Sequence, residues 1–415
     1  MRAVLLLNGL ALSALAHTAV AADNSLWPDA QASVLLRNYF LHNDDRNDRV
    51  RAQSYKQEWA QGFIGRIDSG YTPGTFGLGV EAHGFLGLRL DSGRGTAGTG
   101  LLPLDSDGRA EPDYSSAGAA LKLRLGQTQL KVGEMEVETP VFDTADKRLQ
   151  PEYASGGLLD SLEVPGVRLV AGHFTAFKNQ NQSSGHGDFD GYQVSTAGHS
   201  VSLAGIESRT EGPLGGALYM GELSDTWRQY YANLHGAHPL GSTTRLSWDA
   251  NLYRTLDTGT ASAGAIATTA SSLMLKLRHQ WQTLGLGYQK VHGQTPFDFV
   301  GGDSIYLANS IKYSDFNGAG EHSWQLRYDR DLTTLWPGLS VMGRYVRGSG
   351  IETALGDGKH WERDLTLAWT APSGPARDLS VELSYVTHRG NAAQGNNDLD
   401  RIYVVVQYPW DMAGH

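Results

Sequence analysis

One pattern runs through this chain from near residue 34 to residue 408: apolar and polar residues alternate in runs of about nine to twelve, the length at which a tilted strand crosses a bilayer. Leu121, Leu123 and Leu125 alternate with Lys122, Arg124 and Gly126, and Leu246, Trp248, Ala250 and Leu252 alternate with Arg245, Ser247, Asp249 and Asn251. Val34, Leu36 and Phe40 oppose Leu35, Arg37 and Tyr39. Leu365, Leu367 and Trp369 stand against Asp364, Thr366 and Ala368, and Leu379, Val381, Leu383 and Tyr385 against Ser380, Glu382 and Ser384. Strand side chains point alternately to opposite faces, so each run predicts a strand with one oily and one polar side. The final run, RIYVVVQYPW, places Ile402, Val404, Val406 and Tyr408 opposite Arg401, Tyr403, Val405 and Gln407. In a sandwich the oily side looks inward; in a membrane barrel it looks out into lipid.

Helical spans are excluded, because after the first residues no stretch approaches the roughly 18 uninterrupted apolar residues such a span needs. The mean hydropathy of −0.34 does not argue against a barrel, whose strands need only every second residue apolar. Aromatic clusters near predicted strand ends (Trp59 with Phe63, Trp227 with Tyr230 and Tyr231, Trp361 with Trp369, Tyr408 with Trp410) suit interfacial girdles. Together with the alternation they favour a single all-β, transmembrane antiparallel barrel over a periplasmic all-β protein. Long polar connections are expected at Asp91 to Ser116, Thr139 to Glu163, Phe177 to Gly191, Leu256 to Ser272, Gly348 to Lys359 and Arg389 to Asp400, with short turns between the other strands.

The start, MRAVLLLNGLALSALAHTAVA, combines a basic residue, a short apolar run and the small-residue site Ala19-Val20-Ala21. It predicts a removed secretory leader at 1–21 and a mature domain at 22–415. With no cysteine, the chain has no disulfides or thiolate chemistry. A net charge of −10 argues against a nucleic-acid partner. The 14 histidines are scattered and show no metal-binding spacing, so neither a metal nor another cofactor is expected; His186, Asp188, Asp105 and Asp107 are assigned to solvated loops.

Several stretches resemble the OprD-type family of substrate-specific outer-membrane porins: LLRNYF at 35–40, QEWAQGF at 57–63, LDSGRGTAGTGLLP at 90–103, YQKVHGQTPFDF at 288–299, GGDSIYLANSIKYSDFNGAGEHSW at 301–324, WERDL at 361–365 and the terminal RIY. The resemblance implies 18 strands, a bacterial outer-membrane location, long extracellular loops folded into the lumen, and a ladder of basic side chains that guides carboxylates. It further implies lipid around the barrel, the barrel-assembly machinery during biogenesis, and a monomer or weak trimer. Family members usually stop just after the final proline and aromatic pair, whereas Asp411 to His415 follow here.

Alternation assigns Arg37, Lys56, Lys122, Arg124, Lys131, Arg327 and Arg401 to the inner face, and Lys56 and Arg401 match ladder positions of the family. Successive cations spread the attraction for a carboxylate so that no single site traps it. The segment 140–157 resembles the family's constricting third loop, which makes Arg148 and Tyr153 constriction candidates. The segment 301–317 supplies Asp303, Ser304, Ser310, Tyr313 and Asp315 as an acidic or polar counterpart. Where the basic-amino-acid branch carries two ladder arginines and a lysine, this chain has Glu382, Ser384 and Ala368.

The expected function is passive, selective uptake of small carboxylate-bearing nutrients, amino acids or short peptides, with aromatic or aliphatic monocarboxylates as the alternative. A general-diffusion porin is a rival. A serine-protease assignment attached to the family maps onto His173, Asp225 and Ser304, but no G-x-S-x-G elbow surrounds Ser304. Such a triad requires the serine, histidine and aspartate to be joined by hydrogen bonds.

Overall fold

The computed structural model describes residues 29–46, 53–190, 197–208 and 213–411; the expected leader lies outside them. Eighteen antiparallel strands, from Gln31–Asp45 to Leu399–Asp411, each pair with the neighbour in sequence, and the last pairs with the first. The seam is in register across Asn43 and Arg401, and across Arg37 and Gln407. This closure leaves the barrel no free edge, which a strand in lipid cannot tolerate. A two-stranded piece, Phe189–Asp190 with Ala197–Gly198, and one short 3-10 turn, Ala392–Gln394, belong to the connections.

The two faces of each strand separate as the alternation predicts. Leu121 and Leu125 are 48% and 63% exposed, while Lys122 between them is buried; Leu365, Leu367 and Leu383 are exposed, while Asp364 and Ser384 are buried. Water-soluble proteins have the reverse order. An oily outer wall around a polar interior is stable when the wall meets hydrocarbon, and it answers the question raised by the last strand. Its Tyr403 is buried inside and bonded to a lumen loop, while Val404 and Val406 take the opposite face. On the strand Gly356–Thr370, Trp361 and Trp369 share that outer face eight positions apart. At ~3.3 Å per residue and a tilt of ~40°, they stand about 20 Å apart along the membrane normal, near the height of an outer-membrane apolar band.

Short turns such as 126–127 and 280–281 lie at one end with the start of the first strand and the end of the last. Long connections lie at the other: 90–112, 136–152, 179–200 and 293–321. In barrels of this kind the long-loop end faces the cell exterior. Three expectations are corrected. The predicted loop 348–359 is a two-residue turn, because the strands Leu339–Thr353 and Gly356–Thr370 run through it. The loop expected at 139–163 occupies 136–152, after which Tyr153–Ser161 is a strand. Trp227 and Tyr231 are not on the girdle: both are buried inside, with Trp227 donating from Nε1 to Asp298 Oδ2 at 2.8 Å. Their run WRQYY has aromatics on both faces, so its phase was ambiguous.

Two long loops fill the upper lumen. Phe142 of the 136–152 loop packs on Phe174, Phe177 and Phe189, while Phe297, Phe299 and Val300 of the 293–321 loop join Tyr253 in the same apolar cluster. Burying a side chain such as Phe142 contributes about 1.5–3 kcal/mol. That gain holds the loops inward against the entropy of ordering them. A second cluster packs Leu101, Leu102 and Leu149 from two loops on Tyr39, Leu41, Ile64 and Phe85 of the wall.

Candidate lumen constriction

The inward loops are fastened by groups that the sequence hides inside the barrel. Glu152 Oε2 accepts from Ala145 N and Gly302 N, each at 2.8 Å, so one buried carboxylate ties both loops together. Burial pushes its pKa above the usual carboxylate range, and the two backbone donors oppose that shift. Ser304 Oγ accepts from Asp143 N and donates to the backbone carbonyl of Val300, with Asp143 O at 3.2 Å. Tyr306 donates to Asp143 Oδ2 at 2.6 Å, and Tyr253 donates to Pro140 O at 2.8 Å. Gly301 and Gly302 pass so close to Asp143 and Ala145 that an added Cβ at either would collide. Gly301 also has φ +83°, which disfavours any side chain. On the opposite wall, Glu362 accepts from Tyr313 N and Ser314 N, each at 2.9 Å.

Between the loops and the wall lies a cavity of about 530 Å³. Its charged lining is Arg37, Asp146, Lys147, Arg148, Lys312, Arg344 and Glu382, with Tyr39, Tyr403 and Ser310 beside them. Most of these cations are answered by carboxylates. Arg37 grips Asp146, with Nη1 2.6 Å from Oδ1 and Nη2 2.9 Å from Oδ2. Lys147 pairs with Asp303, Lys312 with Glu382, and Arg344 with Asp364 at 2.6 Å. Arg148 differs: it donates to the carbonyl of Lys147 and has no carboxylate partner among the described residues. Beneath lies a wider cavity of about 980 Å³ at the short-turn end, lined in part by Arg66, His83, Lys131, Glu136 and Tyr153.

The predicted ladder residues divide into two groups by partner. Lys122 pairs with Asp68, Lys131 with Glu81 at 2.6 Å, Arg327 with Asp329 at 2.7 Å, and Arg37 with Asp146. Lys56, Arg401 and Arg124 have no carboxylate partner among the described residues. Lys56 and Arg401 share the register row of Asn43, on three adjacent strands near the long-loop end. Arg401 donates from Nε to Asn43 Oδ1 at 2.7 Å and lies 4.7 Å over the Tyr313 ring. Arg124, near the short-turn end, lies over Tyr71 and donates to Gly74 O. Among the described residues, Lys56, Arg401, Arg148 and Arg124 therefore mark positive charge without a carboxylate partner from the upper lumen, through the constriction, to the lower mouth.

The other predicted site residues are dispersed. Ser310 lines the upper cavity and donates to Asp315 Oδ1 at 2.6 Å. Asp303 fixes Lys147, and Tyr313 exchanges hydrogen bonds with Asn397. Tyr153 sits in the lower cavity, stacked on His83 with ring centroids 3.6 Å apart. His173 stands on the exposed outer side of its strand, where Nδ1 lies 2.9 Å from Ser202 Oγ. Asp225 accepts from Thr260 N in a turn, while Ser304 is buried between the lumen loops. No hydrogen bond joins these three among the described residues. Lys312, Arg344, Asp146 and Lys147 escaped sequence reasoning; three sit in loops without periodicity, and Arg344 is three positions from an equally plausible Arg347.

Comparison with known proteins agrees with this geometry. The family described as outer membrane porin, OprD family, matches residues 24–412. Porin D of Pseudomonas aeruginosa is 41% identical over 408 residues, covering 92% of this chain and 90% of that protein. The crystal structure of Pseudomonas aeruginosa OccK9 (OpdG) superposes with a TM-score of 0.89 at 37% identity, covering 94% of this chain and all of that one. The structure of Pseudomonas aeruginosa OpdK with vanillate gives a TM-score of 0.86 at 36% identity, covering 93% and 100%. With the closed 18-stranded barrel, the inward loops and these relatives together, the chain belongs to the OprD family of outer-membrane porins.

Proposed function

We propose that this porin passively admits small solutes carrying both a carboxylate and an ammonium group, amino acids above all and short peptides of similar girth. One observation carries the proposal: the constriction presents Arg148, which has no carboxylate partner among the described residues, in the same cavity as Asp146 and Glu382, each 37% exposed despite its ion pair. A zwitterion crossing there exchanges its carboxylate onto the arginine and its ammonium onto the two acids, which replaces part of its lost hydration. A monocarboxylate gains only the first contact and meets the acids with repulsion. Lys56 and Arg401 above, and Arg124 below, supply weak stations for the carboxylate on either side.

Glu382 and Ala368 are neighbours in register and both line this cavity, where the basic-amino-acid branch is expected to carry cations. Their presence removes positive charge from one wall, which suits uncharged-side-chain amino acids. Transport of aromatic monocarboxylates is the second reading, supported by Tyr39 and Tyr403 in the lining and by the vanillate complex of one similar porin. Uptake into liposomes of three size-matched solutes, an amino acid, its deaminated acid and its decarboxylated amine, separates the possibilities. Saturable uptake with the amino acid fastest supports the proposal. Acid uptake equal to or faster than amino-acid uptake transfers support to the second reading, and rates that follow size alone indicate a general porin.

A further inference from the structure

The outer wall bears charges that the pore does not use. On the strand Leu339–Thr353, Val346 and Gly348 are buried on the lumen side, so Arg347 between them faces outward. On the neighbouring strand Gly356–Thr370, Glu362 and Asp364 are buried inside, and Arg363 faces outward. Both arginines are exposed. Arg347 stands in register between Trp324 and Trp361, and Arg363 between Tyr345 and Thr387. The rings form a band, with Trp324 and Tyr345 centroids 5.5 Å apart and Tyr345 and Trp361 centroids 5.8 Å apart. These residues lie toward the long-loop end, so the band marks the outer membrane–water boundary.

Some other cations on this wall are paired with carboxylates, while Arg254 and Lys290 donate only to Thr269 Oγ1 and to Gly320 O and stand out of register with the aromatic band. Arg228 pairs with Glu222 at 2.5 Å, and Arg389, level with Trp361, pairs with Asp400 at 3.0 Å. Arg363 donates only to the hydroxyl of Thr387, at 3.3 Å, and neither it nor Arg347 has a carboxylate partner among the described residues. Their backbones are diagonal neighbours, about 7–8 Å apart on one face of an antiparallel pair, close enough for both guanidinium groups to reach one anion. A guanidinium facing hydrocarbon is unfavourable unless it snorkels to the headgroup layer or meets a counter-anion there.

We propose that Arg347 and Arg363 form a binding site for the phosphate of a phosphorylated glycolipid in the outer leaflet, with its acyl chains lying on the apolar wall below. Guanidinium groups donate two-point hydrogen bonds to phosphate oxygens, and a phosphate monoester supplies the charge this pair lacks. The aromatic band holds the headgroup at the arginines' level. Arg389 remains tied to Asp400 at the edge of the site.

Native mass spectrometry of the full-length porin in detergent tests this, using diphosphorylated lipid A, dephosphorylated lipid A and inorganic phosphate as separate probes. The wild type is expected to retain the diphosphorylated lipid, and R347Q/R363Q to bind it about tenfold more weakly or worse, the loss of at least one charge-assisted contact. The R228Q control should bind like the wild type, and dephosphorylated lipid should not distinguish the wild type from the double variant. Single-channel conductance of R347Q/R363Q should be unchanged, showing that the barrel is intact. Equal lipid affinity in wild type and double variant, an equal loss in R228Q, or displacement of the lipid by inorganic phosphate at comparable concentration would overturn the site.

Discussion

Arg37 of the first strand and Asp146 of the constricting loop meet in a two-point ion pair inside the lumen, and Arg37 also donates to the carbonyl of Arg148 at 2.8 Å. The wall cation that alternation assigns to the pore is thus occupied in positioning the loop that carries Arg148. Replacing Asp146 with Asn removes one anion and frees part of the Arg37 charge. We expect anion-over-cation permeability, read from the reversal potential in a salt gradient, to rise by about two- to fivefold, the effect of roughly one unit charge at short range in water-like dielectric. An unchanged reversal potential would place this pair outside the ion path.

Asp143 gives the loop junction a pH dependence. Burial, with smaller contributions from the Asp303 and Glu138 charges, pushes its pKa up to about 7, opposed by the Tyr306 hydroxyl and by Lys147. The protonated form is therefore favoured in the closed structure. Below the ordinary carboxylate pKa of about 4 the shift has no effect; between there and pH 7 the closed form binds the extra proton, so its stability falls as pH rises. Above pH 7 the full penalty applies. Protection of the 136–152 amides, relative to their intrinsic exchange rate at each pH, should consequently be greater at pH 5 than at pH 8, and Asp143→Asn should flatten the difference. Equal protection differences in both proteins would assign the pH effect elsewhere.

Ser304 joins the same two loops through backbone partners, which predicts a packing phenotype on substitution. Ser304→Ala should loosen the junction by about 1–3 kcal/mol, the range for leaving buried hydrogen-bonding groups unsatisfied. Noisier single-channel currents should accompany it. Purified wild-type and variant protein should show the same background of peptide-bond cleavage; a loss of cleavage confined to the variant would contradict this assignment.

The alternation made the wall legible: Lys122 lies in a nearly clean run and takes the inner face expected of it, and Lys56 does so too although its run YKQEWAQGF mixes glutamines with aromatics on the outer face. It could not specify partners. Whether a lumen lysine lacks a carboxylate partner among the described residues, like Lys56, or is neutralised, like Lys131 by Glu81, depends on register between strands far apart in sequence. Arg344 and Arg347 look alike in RYVRG, yet an odd separation of three places one in the pore and the other on the outer wall. Lys312 lies in a loop, where no period operates, and its importance follows from Glu382 on a distant strand. Chain resemblance pointed to both loops, and their fit depends on buried groups such as Glu152 and Tyr306 whose contacts are entirely tertiary.

Face assignment has a direct stability test in two nearby positions. Leu365 is 49% exposed on the outer wall between the Trp361 and Trp369 levels, whereas Ala368 lines the constriction. Leu365→Arg should destabilise the barrel by about 2–4 kcal/mol in folding titrations into bilayers, as expected for arginine near the midplane. Ala368→Arg should fold with less than half that loss and alter conductance instead. Similar losses for both would be inconsistent with an oily outside and a polar lumen.

Arg148 and Glu382 decide selectivity in this account, so liposome uptake of a small amino acid and its deaminated acid by Arg148→Ala and Glu382→Gln is the most direct test. Arg148→Ala should raise the half-saturating concentration of both solutes by about five- to tenfold, the loss of one charge-assisted contact partly screened by water. Glu382→Gln should weaken only the amino acid and narrow its lead over the acid. If both variants transport both solutes at wild-type rates and saturation, the proposed exchange of charges at the constriction is contradicted.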